Sequence, residues 1–196
     1  MSAAGERTYP RKAKVDGDEV ELRLMSAADR DGVLAFARKL PVHDLLFMRR
    51  DITQPKVVDA WVQRIADDGI TSLLASSGGT IHGCAAIIRD TLSWSPHVGE
   101  LRVVIGQEMR GKGLGRRLIQ EGFALALSSG LERLVAHMTA DQQTALSVFE
   151  SLGFRAEGLL RNHVKDRAGD THDIVVLGHS VARFHTQMAA YGQLEA

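Results

Sequence analysis

Chemistry is most legible in the run Arg110-Gly111-Lys112-Gly113-Leu114-Gly115. It follows the apolar stretch Leu101 to Ile105, which reads as a strand, and it opens a helical run from Leu114 to Ser129. A strand passing through glycines into a helix gathers unpaired backbone N–H groups at the positive end of a helix dipole. That arrangement binds anions, phosphate above all. Glycines at 111, 113 and 115 let the backbone approach phosphate oxygens with no Cβ in the way.

Three phosphate ligands are weighed against this loop. A nucleoside triphosphatase loop needs Gly-Lys followed by Ser or Thr to hold magnesium, and here Gly113 follows Lys112. A dinucleotide fold places its glycines after the first strand, with a second βαβ half to follow. This loop lies past the middle of the chain and has no such half behind it. An ordinary glycine-rich turn before a helix is the plainest alternative.

The third pattern, Arg/Gln-x-x-Gly-x-Gly/Ala, resembles the pyrophosphate loop of the GNAT superfamily of acyl-CoA-dependent N-acyltransferases. Arg110, Gly113 and Gly115 stand at its fixed positions. Downstream, Gln142-Gln143-Thr144-Ala145-Leu146-Ser147-Val148-Phe149-Glu150-Ser151-Leu152-Gly153-Phe154 is similar to the superfamily's second motif, Asn-x-x-Ala-x-x-x-Tyr-x-x-x-Gly-Phe. By itself it is an amphipathic helix closed by a C-terminal glycine. Both motifs in order, with one strand between them, identify the domain as bacterial-type GNAT.

The resemblance implies direct transfer of acetyl from acetyl-CoA to a primary amine, either a small molecule or a protein lysine. It implies that the backbone of Gly111, Lys112, Gly113, Leu114 and Gly115 cradles the pyrophosphate, with Arg110 and Arg116 or Arg117 adding charge. The pantetheine arm pairs in this family with the strand before the loop, which maps to Val103, Val104 and Ile105. Glu100 falls near the position of the family's basic carboxylate, with His97 and His43 as alternatives. Gln142 replaces an asparagine that contacts pantetheine. Phe149 stands where a tyrosine usually protonates the leaving thiolate, and phenylalanine donates no proton. That departure keeps a second reading open: a non-catalytic acyl-CoA-binding or sensing module.

These residues need a scaffold. Val20 to Leu24 alternates like a half-buried strand, and Ser26 to Asp29 caps a helix that runs to about Lys39. A second helix spans Thr53 to Asp68, with Pro55 in its first turn. Strands at Ser72 to Ser76 and Ile81 to Arg89 flank Ser77-Gly78-Gly79-Thr80, a hairpin signal. Strands follow at Val98 to Ile105, Leu134 to Met138, Phe154 to Val164 and His172 to Leu177, with a helix at about Asp141 to Leu152. The expected fold is α/β (α+β), a single domain with a mixed central sheet flanked by helices. Residues 19–182 form that domain, 1–18 a flexible N-terminal tail and 183–196 a C-terminal tail. The resemblance implies that the acceptor is set by His43 to Asp51 and by Trp94 to His97. Arg49 and Arg50 in the first segment favour a carboxylated or phosphorylated acceptor or an acidic protein surface.

Bulk properties agree. Lys plus Arg and Asp plus Glu number 24 each, a balance unlike the basic excess of nucleic-acid binders. Cys84 is the single cysteine, so no internal disulfide forms, and it reads as a small buried hydrophobe. No apolar run approaches the ~18–20 residues of a membrane span, and Met1 to Asp18 has no apolar signal region. A cytoplasmic protein with no metal, no nucleic acid and no membrane partner is expected. Assembly as a homodimer stays open.

Overall fold

The computed structural model describes residues 7–181. One eight-stranded sheet runs in the order β1-β2-β3-β4-β5-β6-β8-β7. Its strands are β1 (Arg11–Val15), β2 (Asp18–Leu24), β3 (Ile70–Ser77), β4 (Thr80–Ile88), β5 (Val98–Ile105), β6 (Arg133–Thr139), β7 (Arg155–Lys165) and β8 (Thr171–Ser180). The helices are α1 (Arg30–Lys39), α2 (Pro55–Ala66), α3 (Leu114–Ser128) and α4 (Gln143–Ser151). β5 and β6 pair in parallel and every other neighbouring pair is antiparallel.

Local chemistry sets the boundaries. A single 3-10 turn, Ala27–Asp29, precedes α1. The Asp29 carboxylate accepts from the Ser26 N–H at 2.8 Å and from the Arg23 guanidinium, which fixes the chain's entry into the helix. Leu40 turns extended ahead of Pro41 and ends α1. The helices run a few residues shorter than their apolar patterns, since terminal turns fray.

The alternation of β5 divides the interior. Leu101, Val103 and Ile105 pack toward α3 and α4, together with Leu118, Phe123 and Phe154. Val104 joins the other core, with Phe36, Val58 and Trp61 of α1 and α2. Gly122 brings α3 onto β5: a Cβ there would lie 2.8 Å from Leu101 Cδ1.

One boundary is corrected. Residues 1–18 were expected to form a tail, yet Arg11–Val15 is a strand whose Ala13 and Val15 are buried against β2. The basic residues at 11, 12 and 14 mask it in the sequence, because only one face of an edge strand is apolar. The C-terminal tail assigned to 183–196 lies outside the described residues. No helix among the described residues is long and apolar enough to cross a membrane.

Candidate active site

The parallel ladder between β5 and β6 is short. It joins Val98 to Arg133, Gly99 to Leu134 and Glu100 to Val135, and then stops. From Leu101 to Ile105, β5 keeps its partner β4 on one edge but has no strand on the other. A sheet splayed there presents an open main-chain edge to which an extended, amide-containing chain could add. Val103, Val104 and Ile105 lie on that edge.

The glycine loop stands at the mouth of the split. Gly111 and Gly113 adopt φ of +75° and +89°, a left-handed backbone that favours glycine. Nothing lies within 4 Å of where a Cβ would stand at either position. Gly113 caps α3, so the N–H groups of Leu114, Gly115 and Arg116 precede the first helical bond, which Arg117 makes to Gly113 at 3.1 Å. Leu114 is fully buried and offers only its main chain, while Lys112 stays partly exposed. Open space over three aligned N–H groups suits a pyrophosphate. Arg110 is turned away from it, onto Asp44 in the loop after α1. Arg116 donates to Ser151 Oγ of α4 at 2.7 Å.

Glu100 sits where the split begins, with its side chain only 10% exposed. Its Oε1 accepts from Arg102 Nε at 2.8 Å and lies 3.3 Å from His137 Nδ1, across the split on β6. Arg49 Nε approaches Oε2 at 3.6 Å. Burial alone would raise the pKa of Glu100, but the hydrogen bonds and charges of His137 and Arg102 outweigh it and hold the group at about 2. A carboxylate so acidic stays ionised and accepts protons weakly. It can orient an imidazole instead: Nδ1–H of His137 donates to Glu100, and in the neutral ring the lone pair then stands on Nε2.

His137 escaped the sequence reading. The signal was present, since Leu134, Ala136 and Met138 form the buried face of β6 and leave Val135, His137 and Thr139 on the other. The alternatives fare differently. His97 is exposed at the far end of β5, and His43 Nε2 contacts Asp141 Oδ2 at 2.6 Å, away from Glu100.

A cavity of about 290 Å³ opens beside these groups, on the α1/α2 face. Its floor is β3, β4 and β5, through Ile70, Ala86 and Val104, and its roof is α2 and the loop Met48 to Ile52. Trp61, its largest wall, is pinned by a hydrogen bond from Nε1 to Ser72 Oγ at 2.9 Å. Four arginines line it: Arg49, Arg50, Arg64 and Arg102. A shallower depression of about 380 Å³ lies between α1 and the β7–β8 turn and touches no residue of β5. Of the acceptor segments, Met48 to Arg50 borders the site while the Trp94 loop stands free in solvent.

Phe149 is buried, with its ring against Phe154 at 4.9 Å in a T-shaped contact, so its position supplies packing and no proton. Tyr9 donates to Glu121 at 2.6 Å, and burial first, then that bond and charge, push its pKa far above the usual phenol range. Tyr191 lies outside the described residues. Gln142 caps α4 beside the split. Cys84 is buried in the cavity wall, where loss of solvation raises its thiol to about 12. His179 packs among Phe123 and Phe154, and His172 pairs with Asp166. Among the described residues no group of three or more His, Cys, Asp or Glu is placed to hold a metal ion.

Comparison with known proteins points one way. The sequence profile of the Acetyltransferase (GNAT) family matches residues 39–154, more than half of the chain. An IAA acetyltransferase of Azospirillum brasilense is 32% identical over 98 residues, 50% of this chain and 62% of that protein. The chain thus spans from half to three-fifths of the first curated relatives it matches. In structure it is similar to a ribosomal-protein-alanine N-acetyltransferase of Brucella melitensis: TM-score 0.71, 23% identity, covering 81% of this chain and 98% of that one. A spermidine N-acetyltransferase of Vibrio cholerae, solved with CoA and spermine, gives TM-score 0.71 at 16% identity, covering 85% and 98%.

Proposed function

Since this chain belongs to the acetyltransferase (GNAT) family, we propose that it transfers an acyl group, acetyl first of all, from coenzyme A to a primary amine within a ternary complex. The observation that carries this reading is the split of β5 from β6 at Glu100, with a phosphate-suited loop at one end and a cavity at its side.

In this reading the Gly111 to Gly115 backbone and the first turn of α3 hold the pyrophosphate. The free edge of Val103 to Ile105 takes the pantetheine amides, and Gln142 borders them. Arg116 is better placed than Arg110 to add charge, because Arg110 already serves Asp44. Acetyl-CoA supplies an activated carbonyl; the chain does the rest. A main-chain N–H of β5 hydrogen-bonds the carbonyl oxygen as negative charge gathers there.

An alkylammonium has a pKa near 10.4 and must lose a proton before it attacks. Glu100 attracts the ammonium and holds His137, whose Nε2 takes the proton directly or through water. The nitrogen lone pair then forms the C–N bond as the C–S bond breaks, and the second proton leaves nitrogen to solvent. With phenylalanine at 149, the departing thiolate is protonated by solvent. We place the reaction in the cytoplasm, which suits a chain whose one thiol is buried and unpaired.

Free-thiol release from acetyl-CoA, followed with and without pooled primary amines, tests the proposal. Amine-dependent release is the expected result. Tight binding of acetyl-CoA with no release for any amine would favour the sensing module.

A further inference from the structure

The cavity beside β5 is charged on one side only. Arg49, Arg50, Arg64 and Arg102 line it, and no acidic residue does. Glu100, just outside the lining, contacts two of the four. Arg64 spends Nη2 on the carbonyls of Gly69 and Arg89, at 3.3 and 3.1 Å, and so meets no carboxylate. Arg50, at the exposed rim, has no hydrogen-bond or ion-pair partner among the described residues. One carboxylate against four guanidiniums leaves an excess of three positive charges around an otherwise apolar hollow. Trp61, Ile70, Ile88 and Val104 form its remaining walls.

Resting on the transferase reading above, we propose that the acceptor is a compact amine that also carries a carboxylate, an amino acid with an apolar side chain. Guanidiniums present paired N–H donors that match a carboxylate: Arg102 is held largely out of water at the floor, while Arg49, Arg50 and Arg64 reach in from the exposed rim. The aromatic and aliphatic walls take the apolar side chain. A volume of about 290 Å³ is at the small end for ligand sites, which fits a molecule of amino-acid size. A polyamine would bring only positive charge to this wall, and a lysine on a protein would leave the guanidiniums unmatched.

The test compares free L-leucine, L-methionine, L-phenylalanine and L-tryptophan with their methyl esters, with spermidine and with a lysine peptide, in the thiol-release assay. Esterification lowers the basicity of the amine, so intrinsic reactivity favours the ester and any preference for the acid comes from binding. At least one free amino acid should exceed its own ester by about tenfold or more in kcat/KM. Arg50→Ala should raise the KM of that acid about tenfold while leaving the KM of acetyl-CoA and of the ester within twofold; Arg50→Lys should recover part of the loss. Esters, spermidine or the peptide reacting as well as the acids would overturn this assignment and leave the transferase reading intact. So would an Arg50→Ala enzyme with unchanged KM. Acetyl-CoA binding with no thiol release from any amine would defeat both.

Discussion

Two buried glutamates, each wrapped in cations, sit in opposite settings. Glu121 on α3 is fully buried. Its carboxylate takes the Tyr9 hydroxyl at 2.6 Å, Arg7 at 2.7 Å, Arg117 at 3.2 Å and Arg11 at 3.8 Å. Three of those partners belong to the N-terminal segment around β1, so this cluster straps the start of the chain to the helix behind the glycine loop. Glu100 has similar partners, but one of them, Arg49, is 74% exposed and stands at a cavity. Glu100 is the last residue of β5 to pair with β6, and from Leu101 onward no strand covers that edge. The same ionic chemistry holds the fold together where the chain seals it, and in the proposed transferase meets the substrate where the sheet opens beside it.

Breaking each cluster separates the two roles. Glu121→Leu should cost the most stability, about 3–5 kcal/mol, because three arginines lose their shared counter-charge. Urea unfolding reads that loss, and turnover per folded molecule should stay within a few fold. Glu100→Gln should do the reverse to activity, lowering kcat about 10²-fold or more with the KM of acetyl-CoA unchanged. A Glu100→Gln variant that loses stability but keeps its turnover per folded molecule would place Glu100 with Glu121 as architecture.

Acid sharpens the contrast. The folded pKa of Glu100, about 2, lies below the ordinary value of 4.5. Its charge therefore adds stability above that ordinary value, and the gain is lost as pH falls from about 4.5 toward 2. Stability should decline over that window by about 1–3 kcal/mol from this group, and Glu100→Gln should flatten that part of the curve. The smallest effect comes from restoring the family's tyrosine. Phe149→Tyr would bury a hydroxyl against Phe154 and should cost about 1–2 kcal/mol of stability with no gain in kcat. A rise in kcat would show that a proton donor at 149 is within reach of the thiolate.

Motifs and periodicity placed most of the fold, because each helix and strand after residue 19 carries its own local signal. The glycine loop, the hairpin at Gly78-Gly79 and the break before Pro41 all depend on residues adjacent in sequence. What escaped depends on residues far apart. β1 is recognisable as a strand only once β2 pairs with it, as Ala13 opposite Val20. The Glu100–His137 contact joins residues 37 positions apart across a split that no local pattern encodes. Arg110 fits the phosphate motif by spacing, yet Asp44, 66 positions away, claims its guanidinium. Arg49 and Arg50 drew notice by charge alone; the cavity added Arg64 and Arg102 and showed that no acid balances them on its walls.

The most direct test of the account is calorimetric titration of acetyl-CoA into the wild-type protein and into Gly113→Glu. That substitution puts a Cβ on a backbone with φ of +89° and a carboxylate over the N–H groups assigned to phosphate. The account predicts one site per chain in the wild type and an affinity lower by about 10²-fold or more in a variant that stays folded. Equal affinities in the two proteins, or no binding by the wild type, would contradict it.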